Sequence, residues 1–169
     1  MVIRTIVKYP DSILRKRARK VPIIDASVFK LIDDMFETMK NAPGSGLAAP
    51  QVGISLQIIV CHPPEEEPFA LINPEIVKKG PDTEMYEGCL SVSGLAADIM
   101  RAETVVVKGL NQKGKPVRLR CDDVKAQIMQ HEIDHLHGIL FIDRVISPEK
   151  LYTPENDPHR RDNESENEI

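Results

Sequence analysis

One turn of helix constrains this chain more than any other stretch: His131-Glu132-Ile133-Asp134-His135. At about 100° per residue, positions four apart lie on the same side of an α-helix and about 6 Å apart along it. Both imidazoles therefore point the same way, and Glu132 sits off their line but close enough to reach a water on a metal they shared. Asp122 or Asp123 is placed to cap the start of this helix, Gly138 follows where a left-handed cap is expected, and no proline interrupts it. Val124, Ile128, His131 and His135 share one face by their i, i+3/i+4, i+7 spacing, so the face that carries the imidazoles is otherwise apolar. Such a wall excludes water, strengthens the effect of a metal charge and can hold an apolar substrate side chain.

Two histidines four apart are also what a pair of hydrogen-bonded core residues would look like. A third ligand separates the readings, because a catalytic metal site takes three protein ligands and leaves one position open. His62 adjoins Pro63-Pro64, His137 faces away from the pair and His159 lies in a polar tail, so none is a strong candidate. The three cysteines, an odd number with no secretory signal ahead of them, argue against a disulfide framework and for a reducing cytosol. Cys61 closes the apolar run Ile58-Ile59-Val60 and Cys121 closes Val117-Arg118-Leu119-Arg120; both read as strand core. Cys89 sits in Glu87-Gly88-Cys89-Leu90-Ser91, where the glycine permits close backbone approach and the neighbours are polar. On spacing alone, a metal ligand and a buried structural thiol both stay open for it.

Gly44-Ser45-Gly46-Leu47-Ala48-Ala49-Pro50-Gln51, Glu87-Gly88-Cys89-Leu90-Ser91 and Gln130-His131-Glu132-Ile133-Asp134-His135 resemble, in order, the three signature motifs of the peptide deformylase family. The likeness extends over roughly residues 3 to 146, including Ile6 to Asp11 and Leu71-Ile72-Asn73-Pro74. It implies that Cys89, His131 and His135 bind a metal and leave a fourth position to water, with Glu132 as general base. It further implies that the Gln51 side-chain amide and the Leu90 N–H stabilise the oxyanion formed when the formyl carbon is attacked. The implied metal is Fe2+, for which Zn2+, Ni2+ or Co2+ can substitute, and the implied substrates are N-formylmethionyl peptides, met in transient proximity to the ribosome. Ser45, Gly46 and Gly88 are expected to border an extended peptide, and Val124 and Ile128 to take its methionine side chain. The match departs from the family pattern at Ser45, Ser93 and Ala96. Arg101 is a candidate cation beside Glu87 or Asp134, and Asp134 a candidate to orient a ligand histidine. A zincin-type metalloprotease would leave Gln51 and Cys89 without a role; a catalytically weak peptide-binding relative is the remaining alternative.

The rest of the chain sets the architecture. A length of 169 residues suffices for one core, and with no tryptophan and 4% aromatic residues that core must be aliphatic. No apolar run is long enough to span a bilayer, no targeting pattern opens the chain and no basic patch with interleaved aromatics suggests nucleic-acid binding; a cytoplasmic protein is expected. Ser27 is placed to cap a helix whose apolar face runs Val28, Leu31, Ile32, Met35, Phe36, Met39. Residues 57–61, 69–73, 76–79 and 104–108 read as short strands, and Asn111 to Gly114 turns the chain into a strand over 117–121. Short connections imply antiparallel pairing, hence an α+β fold: antiparallel sheets packed around the central H-E-x-x-H helix, with an N-terminal helix. Residues 1–147 are expected to form one catalytic domain and 148–169 an acidic, disordered tail. From Pro154 onward there are six acidic and two basic residues.

Overall fold

Apolar runs and their turn residues divide the chain, in order, into helix α1 (Ala26–Lys40), strands β1 (Gly46–Ala48), β2 (Ile58–Cys61), β3 (Phe69–Lys79), β4 (Asp82–Cys89), β5 (Val92–Ala102), β6 (Thr104–Asn111) and β7 (Pro116–Asp122), helix α2 (Asp123–Leu136) and strand β8 (Leu151–Tyr152). The computed structural model describes residues 1–160. Every strand pair is antiparallel. One sheet has the order β1-β2-β3-β6-β7 and the other β4-β5-β8, so β1 and β4 are both edge strands.

Helix α2 fills the space between the sheets. Ala126, Met129, Ile133 and Leu136 are buried against Ile59, Cys61, Leu71, Val107 and Cys121 of the larger sheet, which places both structural thiols in the core as expected. Helix α1 covers a second apolar cluster, in which Leu31, Ile32 and Met35 meet Leu47, Ile58 and Ile72. Its cap is Asp25 rather than Ser27: the Asp25 carboxylate accepts from the Ser27 and Val28 amides at 2.9 and 3.3 Å, and the Ser27 hydroxyl donates to the same oxygen. The cap lies two residues earlier because only there can a side chain reach the second and third free amides of the helix.

Residues 69–73 and 76–79 form one strand, β3, not two. Its register with β6 shifts between Ile72 and Glu75, where Asn73 takes φ +52° and exchanges hydrogen bonds with Val21 at 2.8 and 3.0 Å. Neither Asp122 nor Asp123 caps α2 through its side chain; Asp122 pairs with Arg120 instead, and Asp123 carries a φ of +48°. The tail is corrected over part of its length. Residues 148–150 form a short 3-10 turn, β8 pairs with Ala96 and Ala97 of β5, and Asp157 is buried; the remainder of the expected disordered tail, 161–169, lies outside the described residues.

Gly138 ends α2 in the left-handed region, φ +72°, as its sequence position implies. A Cβ there would lie 2.7 Å from the Arg15 carbonyl carbon, in backbone that cannot swing aside. Gly138→Ala should therefore lower stability by about 2 kcal/mol or more, read from the denaturation midpoint, because strain and overlap act together.

Candidate metal centre

Two elements bring the candidate ligands together. Helix α2 presents His131 and His135 one turn apart, and the β4–β5 hairpin delivers Cys89 where its register shifts after Gly88. Cys89 Sγ lies 3.3 Å from His135 Nε2, which lies 3.3 Å from His131 Nε2, and the three donor atoms all fall within 4.8 Å of one another. His62 and His137 stand apart; His137 Nδ1 bonds the Ile133 carbonyl. A thiol and two imidazole nitrogens converging from separate elements suit a soft or borderline divalent metal.

The surroundings fix this geometry. Glu87, two residues before Cys89, hydrogen-bonds His131 Nδ1, leaving Nε2 directed at the cluster. Arg101 grips Glu87 with two bonds of 3.1 and 2.7 Å and reaches Asp134 at 2.6 Å. Asp134 in turn holds Arg144 at 2.6 and 2.7 Å. The histidine is thus oriented by Glu87 and not by Asp134, whose oxygens are occupied by the two guanidinium groups. Burial acts upward on Glu87, but His131 and Arg101 outweigh it and hold its carboxyl at about 2. Spacing could have revealed this partner, since alternate residues of a strand share a face.

Glu132 stands beside the cluster, 3% exposed, and burial pushes its carboxyl up to about 7, near the value a general base needs. Its Oε2 and His135 Nδ1 are the buried side-chain atoms without hydrogen-bond partners among the described residues. A buried carboxylate oxygen left unpaired is costly unless something binds it. Room for Glu132 comes from Gly46: a Cβ there would overlap the carboxylate and lie 2.8 Å from both Cγ and Cδ. On the other side, Gln51 Oε1 accepts from the Ala48 amide at 2.8 Å, which turns Nε2 towards Ser91 Oγ at 3.2 Å and Cys89 Sγ at 3.7 Å.

A cleft of about 420 Å³ opens over these groups. Of the residues expected from the sequence, Ser45, Gly46, Gln51, Gly88, Cys89, Leu90, Val124, Ile128, His131 and Glu132 all line it, whereas His135 lies behind it and is 1% exposed. Val124 is a rim residue, 49% exposed, rather than part of a dry wall. Tyr86 and Gln127 line the cleft too, and no motif marked them.

A buried carboxylate beside a cysteine and two histidines, on an α+β scaffold open to a cleft, is the equipment of a metal-dependent hydrolase. The profile of the Polypeptide deformylase family matches residues 3–151. The peptide deformylase of Dehalococcoides mccartyi strain CBDB1 is 50% identical over 153 residues, 90% of this chain and 92% of that protein. The peptide deformylase of Halothermothrix orenii is 50% identical over 147 residues, 86% and 96% of the two chains. Among solved structures, a peptide deformylase from Legionella pneumophila superposes with a TM-score of 0.84 at 43% identity, covering 98% of this chain and 96% of its own. One from Synechococcus elongatus in complex with actinonin gives 0.82 at 43%, covering 85% and 79%. The chain belongs to the polypeptide deformylase family, metalloenzymes that remove the formyl group from nascent peptides.

Gly46→Ala should displace the Glu132 carboxylate and lower kcat by about a hundredfold while metal content stays at one equivalent, since small misplacements of a reacting group cost that much. Steady-state rates beside metal analysis of the same preparation check it.

Proposed function

We propose that this deformylase works with Fe2+ held by Cys89, His131 and His135, and that Glu132 moves the proton. The observation that carries the reading is the unpaired, buried Glu132 oxygen beside a three-donor cluster. When bound, the metal would supply Lewis-acid polarisation of the formyl carbonyl and make water acidic enough to attack near neutral pH. Zn2+, Ni2+ or Co2+ would fit the same donors. Glu132 takes the proton from the attacking water and returns it to the leaving amine. The Gln51 Nε2 amide, aimed at the cluster by its bond to Ala48, and the Leu90 N–H donate to the oxyanion, an interaction that strengthens as charge develops.

The substrate lies between two strand edges. β1 ends one sheet and β4 the other, and the cleft is bordered by Ser45 and Gly46 on the first side and Gly88 on the second. An extended peptide there pairs through its backbone, which makes affinity independent of most side chains. Ile128 and Val124 receive the methionine side chain. Such a substrate places the enzyme in the cytoplasm, in transient proximity to the ribosome; among the described residues no helix is long and apolar enough to cross a membrane.

Formate release from a formyl-Met tripeptide by protein prepared anaerobically with Fe2+ tests the assignment. Turnover is expected, with none on the acetylated twin; cleavage of internal peptide bonds would favour a zincin-type protease, and binding without turnover a peptide-binding relative. Glu132→Ala should cut kcat by about a thousandfold or more with metal retained, the scale of a lost general base. Cys89→Ala should instead lose metal first, seen as sub-stoichiometric iron after dialysis.

A further inference from the structure

The last described residues pack against Tyr86, a residue that lines the cleft. After β8 the chain runs back over the outer face of the β4–β5 hairpin, where side chains pin it. The Tyr152 hydroxyl donates to Asp98 at 2.6 Å, and His159 Nε2 lies 3.0 Å from the other oxygen of that carboxylate. The His159 ring packs on Tyr86 with centroids 4.3 Å apart. The Tyr86 hydroxyl donates to Asp157, itself 5% exposed, whose second oxygen accepts from the His159 amide at 2.9 Å. Burial and the Asp157 carboxylate push the Tyr86 hydroxyl up to about 12.

Tyr86 is consequently shared between two spaces. It lines the catalytic cleft and also a smaller, open hollow of about 190 Å³ that Ala96, Tyr152 and Asp157 border. Its carbonyl is held from the cleft floor by Gln127 Nε2 at 2.7 Å. The geometry of a bound peptide follows from strand spacing. With the formyl end at Cys89 and the peptide lying along β4, each residue advances about 3.4 Å. Methionine passes Gly88, the next residue Glu87 and the third Tyr86, roughly 10 Å from the reacting carbon. At that point the cleft is lined by Tyr86, which the segment after β8 grips from outside the cleft.

We propose that residues 151–160 form a substrate-positioning strap, in which Asp157 and His159 hold the Tyr86 ring against the third residue of the peptide. This inference rests on the deformylase reading of the cleft. Asp157 and His159 touch neither the donor cluster nor the reacting carbon; they act through Tyr86. Their effect belongs in KM for substrates long enough to reach it.

The test uses the full chain, iron-loaded, in wild-type, Asp157→Asn, His159→Ala and Tyr86→Phe forms, with formyl-Met-Ala and formyl-Met-Ala-Leu-Ala as substrates. For Asp157→Asn and His159→Ala, KM for the four-residue peptide should rise about fivefold with kcat within about twofold, while KM for the two-residue peptide stays put. Tyr86→Phe, which keeps the ring and removes only the hydroxyl, should move the same KM in the same direction by about twofold even if the strap variants fold poorly. Equal changes on both substrates, or none on either, would overturn the strap as a positioning element. A wild-type enzyme inactive on both peptides would instead sink the deformylase reading beneath it.

Discussion

The rest of the structure depends on one buried guanidinium. Arg101, 3% exposed, lies where β5 faces both β4 and α2, and it is tolerable there only because Glu87 and Asp134 bind it from the two sides. Removing such a charge from water costs several kcal/mol unless its donors are matched in good geometry. The hairpin and the helix therefore cannot slide independently. A one-residue slip of β4 would turn Glu87 to the opposite face and leave Arg101 short of a partner. The same carboxylate that neutralises Arg101 bonds His131 Nδ1, so the constraint that docks the hairpin on the helix also fixes the ring of a candidate ligand.

Around that clamp, the candidate site is built largely from what each sheet contributes at its edge. β1 supplies Gly46, whose missing side chain makes space for Glu132, and the turn after it supplies Gln51, fixed by the Ala48 amide. β4 supplies Cys89 and ends the wall opposite. Helix α2, buried between the sheets by Met129, Ile133 and Leu136, holds the imidazoles rigidly because its other faces are packed. The proposed substrate position, between the edge strands β1 and β4, would keep recognition on the backbone and let many different nascent chains serve.

Much of this was legible in the sequence, and the failures have physical causes. Helix α2, its glycine stop and, in the larger sheet, β2, β6, β7 and the two halves of β3 could be read because their inward residues are apolar: Ile58 to Cys61 is one such run, Val105 and Val107 another; β1, three residues long, could not. The β4–β5 hairpin escaped notice because its inward side is partly ionic, with Glu87 and Arg101 where valine or isoleucine would have announced a strand. Asp134 offered itself as the histidine's partner because its position on the helix is visible in sequence; Arg101 was already a candidate beside Glu87 or Asp134, but that it takes both, and that Arg144 takes the rest of Asp134, comes only from the fold. Acidic composition from Pro154 onward concealed a segment held by two tyrosines, a histidine and two aspartates, contacts that hydropathy does not register. The three candidate ligands were separable from ordinary core residues only through the motifs around them, since neither histidine spacing nor a lone cysteine decides that by itself.

The ionic clamp, acting through Glu87, is expected to set the metal-binding geometry rather than merely to stabilise the fold. The most direct measurement is Co2+ affinity, followed by visible absorption, in Glu87→Gln and Arg101→Met proteins whose circular dichroism matches the wild type. Affinity should fall about 10- to 100-fold, as it does when the partner of a ligating histidine is lost. Folded variants that bound Co2+ as tightly as the wild type would contradict the claim.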